Sequence, residues 1–124
     1  MEPADVVRDF LATIERRDFD AAFAMVTEDL VYDNVPVPAI HGAAQARAWL
    51  EAFLEHVAEI EWTIHRLIAD GDVVMTERLD RFRFKDRWVD LPVAGVFELR
   101  DGRISLWRDY FDFQTALGAT QPQA

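Results

Sequence analysis

Val73-Val74-Met75-Thr76-Glu77-Arg78-Leu79-Asp80-Arg81-Phe82-Arg83-Phe84 is the stretch on which the fold turns. It carries β-branched and aromatic side chains between Asp70-Gly71-Asp72 and Lys85-Asp86-Arg87, two short polar links of the kind that close hairpins. Strand-like segments lie on both sides of it, Ile60 to Ala69 before and Trp88 to Leu99 and Ile104 to Phe113 after, the last two joined by Arg100-Asp101-Gly102-Arg103. Four such strands with tight connections predict an antiparallel meander.

Upstream the periodicity is helical. Pro3 suits a first helical turn, and Val6, Val7, Phe10, Leu11 and Ile14 recur at the spacing of one buried face, predicting a helix over residues 3–16. Asp18 reads as the N-cap of a second helix from Phe19 to Val26, stopped by Thr27-Glu28-Asp29. Leu30 to Val35 reads as a short strand ended by Pro36 and Pro38, which have no N–H for a ladder. Gly42 opens a third helix, Ala43 to Val57, whose Ala46, Trp49, Leu50, Phe53, Leu54 and Val57 form a wide apolar stripe.

Helices followed by a long meander imply an α+β domain in which a strongly bent sheet wraps around the helices, leaving a cavity on its concave face. The chain of 124 residues, 51% apolar and 29% charged, has the make-up of one globular domain over residues 1–124, with 114–124 read as a loose tail. With no cysteine, thiol catalysis, disulfides and cysteine-based zinc sites are excluded. A net charge of −10 repels phosphate backbones and anionic lipid, so nucleic acid is not an expected partner. Met1-Glu2-Pro3-Ala4-Asp5 lacks the basic start of a secretory leader, and no apolar run approaches the ~18 residues of a membrane span. These features predict no membrane insertion and a cytoplasmic protein.

Residues two apart on a strand share a face. On the central strand one face therefore carries Val74, Thr76, Arg78, Asp80, Phe82 and Phe84, placing a cation and a carboxylate among apolar side chains. On the last strand Ser105, Trp107, Asp109 and Phe111 share one face, and Ile104, Leu106, Arg108, Tyr110 and Asp112 the other. Tyr32 and Asn34 fall together on the short strand.

Taken singly, each feature has a plainer reading. Arg78 and Asp80 are commonly a solvated ion pair, which contributes only ~0–1 kcal/mol. Tyr32 and Asn34 suffice to satisfy backbone groups at a strand end, and Asp109 to balance Arg108 or Arg78. His41, His56 and His65 have no metal-ligand spacing and read as surface or structural residues. Trp49, Trp62, Trp88 and Trp107 read as core or dimer-interface residues. No phosphate-binding loop or nucleophile elbow is present, which leaves chemistry without metal or cofactor.

In order along the chain, however, Tyr32-Asp33-Asn34-Val35-Pro36, Thr76-Glu77-Arg78-Leu79-Asp80 and Gly102-Arg103-Ile104-Ser105-Leu106-Trp107-Arg108-Asp109-Tyr110-Phe111-Asp112 resemble the motifs of the limonene-1,2-epoxide hydrolase family. The resemblance runs over about residues 3–113 and implies the cone-shaped nuclear transport factor 2-like fold shared with ketosteroid isomerase and the SnoaL-like polyketide cyclases. It implies Asp80 as the acid that protonates an epoxide oxygen, Asp109 as the base that deprotonates water, and Arg78 as the bridge between them. Tyr32 and Asn34 would hold the water. Phe82, Phe84, Trp107 and Phe111 share the faces of these residues and would line an apolar substrate site. The family implies a homodimer without metal or cofactor, acting on an epoxide and water to give a vicinal diol with no covalent intermediate. Three rivals remain open at this point: an epoxide-opening cyclase of polyether type, a ketosteroid isomerase-like or SnoaL-like isomerase or cyclase, and a non-catalytic small-molecule-binding dimer, the last with Asp80 and Asp109 facing solvent.

Overall fold

The structure is a computed structural model that describes residues 1–117. Helix α1 (Pro3–Glu15) and the short α2 (Phe19–Phe23) lead into strand β1 (Val26–Val35), a two-residue β2 (Ile40–His41) and helix α3 (Ala43–Leu54). The meander follows as β3 (Glu59–Asp70), β4 (Val73–Phe84), β5 (Arg87–Arg100) and β6 (Arg103–Phe111), and one turn of helix, α4 (Phe113–Leu117), comes last. The strands form a single curved, open sheet in the order β2-β1-β6-β5-β4-β3. Among the described residues no helix is long and apolar enough to cross a membrane.

The α+β class and the four-stranded antiparallel meander are those the sequence predicts. One pairing is additional: β1 runs parallel to β6, with Tyr32 opposite Trp107 and Asn34 opposite Asp109. Val26 pairs with Ile104 in this ladder, so α2 ends at Phe23 and β1 begins earlier than periodicity suggests. Thr27-Glu28-Asp29 is therefore not a break but an irregular stretch inside β1, where the register with β6 shifts between Val26 and Val31. Pairing with β6 outweighs the helical spacing of Val26, as tertiary context commonly does.

Alternation along β4 sends Val74, Thr76, Arg78, Asp80 and Phe82 to the buried, concave face and leaves Val73, Met75 and Glu77 in solvent. Helix α1 seals one part of that face with Val6, Val7, Phe10, Leu11 and Ile14. Its C-terminal Glu15 accepts the backbone N–H of Trp62 on β3 at 2.7 Å. Arg17, in the left-handed region at φ 64°, sends its guanidinium to the carbonyls of Leu54 and Val57 at the end of α3. A cation there offsets the negative helix terminus and satisfies carbonyls that no further helical turn would reach.

Parity fails at one point on β6. The register with β5 shifts between Glu98 and Leu99, which makes Ser105 an extra residue between Ile104 and Leu106. Ile104 is thereby turned into the core at 0% exposure, although alternation groups it with the exposed Tyr110. The tail expected at residues 114–124 is corrected in part. Residues 113–117 form α4, because the Asp112 carboxylate accepts from both the backbone N–H and the hydroxyl of Thr115, at 2.9 and 2.7 Å. Residues 118–124 lie outside those described.

Truncation of Ile104 tests the bulge. Ile104→Ala should lower the unfolding free energy in urea by about 2–5 kcal/mol, the cost of an emptied core site. Ser105→Ala should cost about 0.5–1.5 kcal/mol at most, for its single hydrogen bond to the Glu98 carbonyl.

Candidate active site

Arg78 lies at the centre of the concave face at 1% exposure, and all five of its N–H groups are used. Its side edge grips Asp80, Nε donating to Oδ1 at 3.1 Å and Nη2 to Oδ2 at 2.9 Å. Its end grips Asp109, Nη1 donating to Oδ1 at 3.1 Å and Nη2 to Oδ2 at 3.0 Å. The fifth N–H, on Nη1, goes to the Thr76 hydroxyl at 3.0 Å. Thr76, Arg78 and Asp80 meet because residues i and i+2 of β4 share a face, whereas Asp109 arrives from β6, two strands away across β5.

Both carboxylates are buried, Asp80 at 4% and Asp109 at 5% exposure. Asp109 also accepts the indole N–H of Trp107 at 3.1 Å, so three side-chain donors serve it against two for Asp80. Burial pushes the Asp80 carboxyl up to about 6 from an ordinary 3.8, against the pull of Arg78 and with the help of the Asp109 charge. For Arg78, burial works against the charged form, but the two carboxylates and their hydrogen bonds reverse this and raise its proton affinity. The trio with both acids ionised carries one net negative charge, and one proton neutralises it. Asp80, which has fewer donors than Asp109, is the acid whose proton affinity burial raises.

Tyr32 and Asn34 face this trio from β1, both buried. Tyr32 stacks on Trp107 with ring centroids 4.2 Å apart. Burial, reinforced by the Asp109 charge, raises the Tyr32 phenol above its ordinary value, so it remains a hydroxyl and a donor.

Asp80, Asp109, Tyr32 and Asn34 open on one cavity of about 200 Å³. Phe82, Trp107 and Phe111 form part of its wall. Phe84 does not: it lies at the end of β4, outside the lining, with the Arg87 guanidinium 5.4 Å from its ring. Parity places it on the right face but says nothing of how far along the strand the cavity reaches. Sequence reasoning also missed several walls. Trp49 and Phe53 project from α3 and stack on each other at 5.8 Å, and Trp62 stands opposite Asp80 in the β3–β4 register. Phe113 and Ala116 of α4 also line it. Trp49 is 43% exposed, so it is not the buried core residue that its place on the apolar stripe allows. His41, His56 and His65 are exposed, and among the described residues no group of three or more His, Asp or Glu side chains gathers as a metal site would require.

Comparison with known proteins agrees with this geometry. Residues 1–122 match the family model described as the limonene-1,2-epoxide hydrolase catalytic domain. The chain is 43% identical over 106 residues to epoxide hydrolase EphG of Mycobacterium tuberculosis, covering 86% of this chain and 70% of that protein. A solved structure of an M. tuberculosis LEH-like epoxide hydrolase superposes with a TM-score of 0.84 at 39% identity, covering 94% of this chain and 87% of the other. An NTF2-like protein of unknown function from Burkholderia pseudomallei also superposes at 0.84 over 100% of both chains, but at 21% identity it shares the fold alone.

The raised Asp80 carboxyl makes stability depend on pH. A folded-state value of about 6 above an unfolded 3.8 means that Asp80 contributes stability below about pH 4, which is lost as pH rises through 6. Asp80→Asn cannot ionise. Relative to this variant, the wild type should lose about 1–3 kcal/mol of unfolding free energy between pH 4 and pH 7 in paired urea titrations. A difference independent of pH would remove the proton from Asp80.

Proposed function

The chain belongs to the limonene-1,2-epoxide hydrolase family and is an epoxide hydrolase of that type, and we propose that it adds water to a small apolar epoxide in a single step, with Asp80 as the acid and Asp109 as the base. The observation that carries this reading is the buried Arg78 bridge, which holds two carboxyl groups in one apolar cavity with room for a single proton between them. A non-catalytic binding module would leave both acids in solvent; here they are 4% and 5% exposed. An isomerase that holds an enolate gives the bridge between two carboxylates no task.

An epoxide opens slowly in neutral water because its oxygen leaves as a poor alkoxide and water is a weak nucleophile. One group must give a proton as another takes one, each within hydrogen-bond reach. Water held by Asp109, Asn34 and the Tyr32 hydroxyl loses a proton to Asp109 while its oxygen attacks a ring carbon. The carbon–oxygen bond breaks, and the leaving oxygen takes the proton from Asp80. The product is a vicinal diol. The trio starts with its proton on Asp80 and ends with one on Asp109, so its net charge is zero throughout, and no several-kcal/mol cost of an unpaired buried ion is met. Proton exchange resets it. The chain itself supplies both proton transfers, so the sequence of steps calls on no cofactor.

The walls support an apolar substrate. Leu50, Phe53, Phe82, Leu91, Val93 and Phe111 offer apolar surface without hydrogen-bonding groups. A cavity of about 200 Å³ lies below the ~300 Å³ at which drug-sized ligand sites begin. A cyclic, terpene-like or short lipid epoxide fits this chemistry better than a sugar-like one. The reading takes the protein as a homodimer, as the family resemblance implies, and sedimentation velocity should give twice the mass of 14.3 kDa.

A single turnover in heavy-oxygen water should place the label in the diol, as direct attack by water requires. Unlabelled diol in that turnover means that a protein carboxylate attacked instead. Asp80→Asn and Asp109→Asn should each lower kcat by about 10²–10⁴ on a cyclic epoxide, scored as diol by mass spectrometry. Full activity in either variant removes the assignment. Because Asp80 must be protonated, kcat/KM should fall as pH rises through about 6.

A further inference from the structure

Arg78 and Asp109 belong to strands that are not neighbours. Strand β5 runs between them, and adjacent strands lie ~4.8 Å apart, so the guanidinium must pass over the β5 backbone to reach β6. The inward-facing residues of β5 are Val89, Leu91, Val93, Gly95, Phe97 and Leu99, all buried. All but Gly95 carry bulky side chains that would block the crossing. The gap falls at Gly95, which pairs with Thr76 on β4 and with Asp109 on β6.

We infer that Gly95 is a positioning residue for the acid–base pair, its missing side chain being what lets the Arg78 guanidinium lie across β5 and bridge Asp80 to Asp109. The inference rests on the acid and base roles proposed above. A β-carbon built at Gly95 collides with Arg78 Nη1 and comes within 2.7 Å of Thr76 Oγ1 and 3.0 Å of Asp109 Oδ1. Nothing in the backbone calls for glycine: unlike Gly42, Gly71 and Gly102, Gly95 does not have a positive φ. A glycine inside a strand weakens it and commonly marks a close approach by another group. Here that group is the guanidinium.

Nη1 cannot give way without consequence, since both of its N–H groups are engaged, one by Thr76 and one by Asp109. Its retreat leaves the side edge, Nε and Nη2, on Asp80 and takes Nη1 from Asp109, so the two-point grip on Asp109 is reduced to Nη2 alone. Asp109 then keeps the Trp107 indole but is held by the cation less closely and at the wrong angle. The two acids no longer share one proton in the productive order, while the cavity wall, to which Gly95 does not contribute, is unchanged.

The test is a cycle of Gly95→Ala, Arg78→Lys and the double variant, each read for folding by circular dichroism, kcat, KM and the pH profile of kcat/KM. Lysine keeps the charge but lacks the Nη1 atom that meets the new β-carbon. Gly95→Ala should fold, keep KM and lose kcat on the order of 10²-fold, with the descending limb of the pH profile displaced. In the Arg78→Lys background the alanine should cause no further loss. An equal loss in both backgrounds overturns the inference, since the glycine would then matter to the strand rather than to the guanidinium. Wild-type kcat and an unmoved profile in Gly95→Ala overturn it too. Should Gly95→Ala fail to fold, folding of the double variant sustains the proposed collision, and failure of both overturns it. Asp109→Asn, measured alongside, separates the two levels: an inactive Asp109→Asn beside an active Gly95→Ala removes only the role of Gly95, whereas a fully active Asp109→Asn removes the acid–base reading beneath it.

Discussion

A guanidinium at 1% exposure must find five acceptors and a compensating charge without help from bulk water. Arg78 takes four acceptors from two carboxylates and one from a threonine, and this requirement orders much of the molecule. It needs β4, β5 and β6 side by side, a face of β4 that presents Thr76, Arg78 and Asp80 together, and passage over β5. Two carboxylates alone in this cavity would carry uncompensated charge whether one or none of them held a proton. With the arginine, one added proton brings the trio to zero net charge, which is the condition the proposed acid–base opening of an epoxide requires.

Much of this was legible in the sequence for a simple reason. Period-two alternation and short polar links report local geometry, and β4 obeys both along its length, so the grouping of Arg78 with Asp80 among buried residues follows from counting by twos. Tyr32 with Asn34 and Trp107 with Asp109 follow in the same way. That Asp109 lies against Arg78 does not follow. It depends on strand order and on a crossing of β5, which are tertiary facts, and only the ordered motifs of a known family made the connection.

What alternation missed has equally physical causes. The extra residue at Ser105 reverses the parity of Ile104, and no side chain at that position announces a bulge. Val26 carries a helical spacing but gains a ladder with β6, a long-range pairing that a local window cannot weigh. The α4 turn is held by the Asp112 carboxylate on Thr115, a capping interaction that a sequence reads only if a helix is already suspected there. Phe84 has the right parity but sits beyond the end of the cavity, because alternation fixes which way a side chain points and not where along the strand a void begins.

The fold alone does not select this chemistry: the B. pseudomallei chain superposes over the full length at 21% identity, so the fold is common property. What is particular is the coupling between wall and acid. The rings that receive an apolar substrate are the same groups that keep water from Asp80, and it is burial that lifts this carboxyl to about 6. Substrate recognition and acid strength are therefore one property of the cavity rather than two. On the proposed mechanism, a substrate that fills the pocket and expels its remaining water strengthens the hold of Asp80 on its proton until the leaving oxygen takes it. A wall residue exchanged for a polar one would instead let water solvate the Asp80 carboxylate, lower its proton affinity and empty the acid before the ring opens. On the proposed mechanism, affinity for apolar epoxides and retention of the Asp80 proton rise and fall together.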